Sequence, residues 1–227
     1  MSSPNPTASR TDAPGGLGLW VAIVVSYVVS PLALPPLVYG LALAHVGAPH
    51  GDVVWGAGIG FVFLSIVPLV YVGGMRLQRR IESLEIRDRS RRTEPFLVAL
   101  AASGTALAAV LSIDIAGRRL LAALVVCHAL NTTLLFLITM QWKISVHCAS
   151  VAGAVSTLAF VQGHVPGRVL AAAGPAVLIG GAGLTGLVLW ARVRGRAHTM
   201  GQAVAGAGVG LVAPYLELMA LSGAIGG

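Results

Sequence analysis

The sequence predicts an all-α fold, a polytopic bundle of six or seven transmembrane helices. Two observations carry this. Of 227 residues, 56% are hydrophobic and only 10% are charged, whereas a soluble domain carries about 25% charged residues. Apolar stretches of roughly 20 residues, the length needed to cross a ~30 Å hydrocarbon core, also recur along the chain. The repeated alternating segments of a membrane β-barrel do not occur.

Taken in order, residues 1–16, MSSPNPTASRTDAPGG, are polar and rich in Pro, Ser and Thr, and are expected to form a disordered tail. Residues 17–227 are expected to form a single transmembrane domain. The first apolar run, about 18–46, is longer than the roughly 7–15 residues of a signal-peptide core. It reads as a retained helix, bent or broken around Pro31, Pro35 and Pro36. Further spans are expected near 54–75, 96–116, 119–140, 144–163, 169–191 and 199–222. That makes seven, or six if the proline-rich first run does not cross fully. GGAGLTG and GQAVAGAGVG, in the last two spans, lack the strand–turn–helix context of a nucleotide-binding loop. Their small residues suit close helix packing.

Isolated polar residues within the spans have plainer readings. Cys127 and Cys148 fall in apolar runs without CxxC or zinc-ligand spacing and read as small buried residues. His128, Asn131 and Thr132 of the fourth span either hydrogen-bond neighbouring helices or line a lipid pocket. His45, His50 and Asp52 read as surface-loop residues rather than a metal site. Glu217 receives no role.

Three polar interruptions stand out. The longest, RLQRRIESLEIRDRSRRTEPF at 76–96, holds seven arginines with Glu82, Glu85, Asp88 and Glu94. The second is QWKISVH at 141–147 and the third ARVRGRAHTMGQ at 191–202. Two crossings separate each cluster from the next, and an even number returns the chain to its starting side, so all three should meet at one membrane surface. Counting the other cations by side puts Arg118, Arg119 and Arg168 alone on the opposite face. The positive-inside bias then places the clusters and the N-terminus in the cytoplasm, in a multi-pass protein of the cell membrane. A plainer account of 76–92 is a solvated, salt-bridged amphipathic helix on anionic lipid. His198 and Arg192 could likewise be interfacial residues at helix ends.

The chemistry of this face suits an anion. Arginine offers a planar fork of donors to phosphate oxygens, and a histidine can serve as nucleophile, acid or base. His147 and His198 are the two histidines there, and His198 and Gln202 share a helix face at a spacing that permits a hydrogen bond. The segment Arg192–x5–His198–x3–Gln202 resembles the third motif, S-R-x5-H-x3-D, of the type 2 phosphatidic acid phosphatase (PAP2) superfamily. Ile144-Ser145-Val146-His147 resembles its second motif, P-S-G-H. Residues 87–95 loosely echo the first, K-x6-R-P.

The resemblance implies a PAP2-like core and a metal-independent phosphoryl transfer, with no cofactor. His198 would be the nucleophile and His147 the acid that protonates the leaving group. Gln202 would stand where the family has the Asp that orients its nucleophile. Arg192, Ser145, Lys143 and one or more of Arg87, Arg91 and Arg92 would hold the phosphate. The implied substrate is a lipid phosphate or prenyl diphosphate, most plausibly an isoprenoid diphosphate; the partners are that substrate and membrane lipids, with no nucleic acid. Ala191, Ile144 and Val146 depart from the family motifs, and Gln202 more so, since replacing such an acid by an amide can cost on the order of 10⁴ in rate. Two rival readings keep the same pocket: a membrane terpene synthase or cyclase acting on a prenyl diphosphate, and a non-catalytic lipid-binding protein.

Overall fold

A computed structural model describes residues 16–81 and 89–225. They form helices α1 (Leu17–Val28), α2 (Leu34–His45), α3 (His50–Ile59), α4 (Val67–Leu77), α5 (Thr93–Ser112), α6 (Arg118–Gln141), α7 (Val146–His164), α8 (Val169–Ala173), α9 (Ala176–Arg194) and α10 (Met200–Ile225). Seven helical stretches among them are long and apolar enough to cross a membrane, and no strand occurs among the described residues. The expected tail lies almost wholly outside the described residues, as does Arg87.

The first span breaks where its prolines predict. α1 stops at Val28, a tight turn runs from Pro31 to Ala33, and α2 resumes at Leu34. Ser30 caps that turn by accepting from Leu32 N–H. Ser65 donates its hydroxyl to the carbonyl of Leu32, which the break frees from helical bonding. Ser65 belongs to a widened π turn, Gly60–Ile66, joining α3 to α4 in the second span. Nothing in the local sequence announces it.

Two further expectations need correction. The run 169–191 is not one helix: Gly174 takes φ +55° and Pro175 follows, so α8 ends and α9 starts afresh at Ala176. His45 is not a surface-loop residue. It is 1% exposed, with Nε2 3.0 Å from the carbonyl of Val165 and Nδ1 accepting from Leu170 N–H at 3.1 Å. It pins the α7–α8 turn to the end of α2, while Asp52 accepts from Ala116 N–H on the same side.

The most extensively packed helix pair is α7 and α10. A Cβ at Gly206 would lie 2.5 Å from the carbonyl oxygen of Ser145, and one at Gly210 would run into that of Ala149. Gly206 and Gly210 are four apart, the GxxxG spacing that lets membrane helices approach backbone to backbone. The glycine-rich stretch of the last span is therefore packing surface. This contact sets the N-termini of α7 and α10 side by side, where Ser145 N–H donates to the carbonyl of Gln202 at 3.3 Å.

Candidate functional site

The site forms at the end of the bundle where α9 stops and α7 and α10 begin. α9 ends in a Schellman turn. Arg196 N–H bonds to Val193 O at 3.0 Å and Ala197 N–H to Arg192 O at 3.1 Å, with Arg196 left-handed at φ +53°. The next amide, of His198, also points at the Arg192 carbonyl at 3.3 Å. The Arg-x5-His spacing is thus the length of this reversal, which returns the histidine to the last turn of the helix carrying the arginine.

Gln202 belongs to a capping box on α10. Gln202 N–H donates to Thr199 Oγ1 at 3.3 Å, and Thr199 N–H donates to Gln202 Oε1 at 3.2 Å. His198 Nδ1 lies 3.2 Å from the same Oε1. A backbone N–H can only donate, so it fixes which end of the amide faces it. Oε1 must then accept from His198 as well, so Nδ1 carries the proton and Nε2 keeps its lone pair. Thr199 was not singled out from the sequence, although T-x-x-Q before an apolar run is the capping-box signature.

The electrostatics favour the same neutral imidazole. His198 is 8% exposed. Burial, then Arg192 and Lys143, with a smaller contribution from Arg92, lower its pKa from the ordinary value near 6.5 to about 4, while the bond to Gln202 opposes the shift. Arg192 at the end of α9, Lys143 between α6 and α7, and Arg92 before α5 therefore sit within electrostatic reach of one histidine. These are the three clusters separated in sequence. Arg192 is itself 3% exposed.

The other expected residues are placed as follows. Ser145 is fully buried and its Oγ caps α7, accepting from Cys148 N–H at 3.4 Å. Arg91 is exposed and acts on Glu94. Glu94 in turn accepts from Arg80 on both oxygens at 2.7 Å and from Tyr71 at 2.7 Å. That ion-paired knot is the salt-bridged part of the 76–96 segment, and among the described residues Arg92 is the arginine of this segment that acts on His198.

His147 and Arg192 line a groove of about 350 Å³ that continues between α1 and α4. Its further walls are largely apolar, including Ile23, Tyr27, Leu32, Leu69 and Val72. A cationic, histidine-bearing end therefore opens into an apolar channel at the lipid-facing side of the bundle, where Trp20, Val24 and Val28 of α1 are exposed. His128, Asn131 and Thr132 do not line this groove; they face a separate mid-membrane cavity.

No family model, curated protein or solved structure matches the chain.

Proposed function

We propose that the protein is an integral-membrane enzyme that removes phosphate or diphosphate from a lipid-linked substrate of the isoprenoid diphosphate class by PAP2-like histidine chemistry. The observation that carries this is the His198 imidazole: neutral, with Nε2 as its lone-pair nitrogen, and within electrostatic reach of Lys143, Arg92 and Arg192, the last of which lines an apolar groove together with His147. The cations neutralise the phosphate as charge shifts between its oxygens. The groove takes the hydrocarbon tail.

In this reading His198 Nε2 attacks phosphorus. An N–P bond forms, the bond to the leaving oxygen breaks, and that oxygen keeps the electron pair and takes a proton from His147. Water then gives a proton to His147 as it attacks phosphorus, the N–P bond breaks with its electron pair returning to Nε2, and phosphate leaves with His198 again the neutral ring and His147 again protonated. Gln202 holds the tautomer but adds no charge to stabilise an imidazolium, so turnover is slow beside that of an enzyme with a carboxylate there. The excess of cations on this face supports a cytoplasmic site in the cell membrane.

A second reading, ionisation or cyclisation of a prenyl diphosphate, is favoured by Gln202 alone, because a synthase has no need of a phosphohistidine. Purified protein incubated without added metal with farnesyl or geranylgeranyl diphosphate, and separately with phosphatidic acid, distinguishes them. Free alcohol or diacylglycerol with released phosphate, lost in His198→Ala, supports the phosphatase. A hydrocarbon or cyclic product supports the synthase. Turnover that survives His198→Ala would remove the nucleophile from the scheme, and tight lipid binding without turnover would leave a binding protein.

A further inference from the structure

A cavity of about 110 Å³ lies in the middle of the bundle, behind the break in the first span. Tyr39 of α2, Cys127, His128, Asn131 and Thr132 of α6, and Thr157 of α7 contribute to its wall. One water needs roughly 10–15 Å³ by this measure, so several fit, and hydroxyl, imidazole and amide groups offer them partners.

Two of these wall residues also hold an acid from the opposite helix. Asn131 Nδ2 donates to Glu217 Oε2 of α10 and, at 2.9 Å, to its own helix at Cys127 O. Cys127 Sγ donates to the same Oε2 at 3.3 Å. The Cys127 carbonyl can only accept, which sets the amide with its nitrogen toward the carboxyl. Both donors converge on one oxygen, and Oε1 is the atom on which a proton can come and go.

The surroundings supply no fixed cation on Glu217's own helix, since α10 contains no Lys, Arg or His. Cys127 of α6 is the titratable group in contact with it, while His128 of α6 and Tyr39 of α2, whose hydroxyl donates to Leu124 O, line the adjoining cavity. From α7 comes His164, packed on Tyr215 two residues from Glu217. A carboxylate inside a membrane without a cation is costly, and a bound proton removes that cost.

We infer that Glu217, held by Asn131 and Cys127 beside this cavity, is an intramembrane proton-exchange site. Its ligand is a proton. On release the Oε1–H bond breaks, the electron pair stays on the carboxylate, and the proton passes to water. The Asn131 N–H and Cys127 S–H groups meet the charge left behind. The site is independent of the chemistry assigned to His198.

Infrared difference spectra of the full-length protein in phosphatidylcholine vesicles, stepped from alkaline to acid pH, test this. A carboxylic C=O band should grow as pH falls, shift in D₂O and be missing from Glu217→Gln. In Asn131→Leu, which removes a donor to the anion, the midpoint should rise by roughly one pH unit or more. Should Glu217→Gln fail to assemble, wild-type protein treated with a hydrophobic carbodiimide should carry an adduct at Glu217 that declines as pH rises. A Glu217 band that is absent or constant at every pH overturns the proposal. So does an unchanged midpoint in Asn131→Leu, or no adduct at any pH.

Discussion

At the scale of single residues, Gln202 does two jobs with one oxygen. Its Oε1 completes a capping box and fixes the tautomer of His198. Gln202→Glu keeps both bonds and adds a charge beside the imidazole. The His198 pKa should rise from about 4 toward the ordinary range, visible in NMR of the ring-labelled protein, and phosphate release should quicken. Gln202→Leu removes both bonds, costing about 1 kcal/mol for the cap, and leaves the tautomer unset. The pH dependence follows from the same shift. The folded value lies below that of an unfolded histidine, so between the two the folded chain binds fewer protons. Stability from this group is complete above pH ~6.5 and is lost as pH falls toward about 4. Thermal unfolding in detergent should therefore weaken over that window, and less so in His198→Leu.

Among the elements, the helix ends divide by face. α2 closes in a Schellman turn with Gly47 at the left-handed position, φ +77°. α4 and α9 close the same way but put Arg79 (φ +58°) and Arg196 (φ +53°) there. A left-handed non-glycine residue costs roughly 1–2 kcal/mol, so Arg79→Gly and Arg196→Gly should raise the unfolding temperature, whereas Gly47→Val should lower it. Gly210→Leu should do more than either, because its side chain would be driven into the Ala149 carbonyl; loss of several kcal/mol or failure to assemble is expected, readable as loss of a monodisperse species in detergent.

These elements also show what the amino-acid order discloses. The spans, the proline break and the small-residue helix contact are written in local composition, and all three are found. The π turn at Gly60–Ile66 depends on which carbonyls find partners across the bundle, and no window of sequence contains that, whereas the split at Gly174 follows from the local Gly174-Pro175 pair. At the site, Arg192, His198 and Gln202 are linked by a turn of fixed length, so their spacing was readable. The selection of Arg92 over Arg91, and the pairing of Asn131 with Glu217 across 86 positions, are set only by how the helices pack.

For the whole molecule, the groove joins a charged end to an apolar channel between α1 and α4. Filling that channel separates recognition from chemistry. Val72→Trp, away from His147 and Arg192, should raise KM for a long-chain diphosphate several-fold and leave hydrolysis of a short water-soluble phosphate ester nearly unchanged, as steady-state kinetics with the two substrates would reveal. A chain that tumbles freely in the bilayer around an accessible site would show no such difference between them.

The broken first span has a last consequence. Ser30 and Leu32 line the groove, while Pro31 between them lines the mid-membrane cavity. Three successive residues thus stand between the groove and the cavity, braced from behind by Ser65. Their integrity is an insulation problem as much as a folding one. Ser65→Ala removes the brace, and vesicles carrying that variant should leak protons faster than those carrying the intact chain.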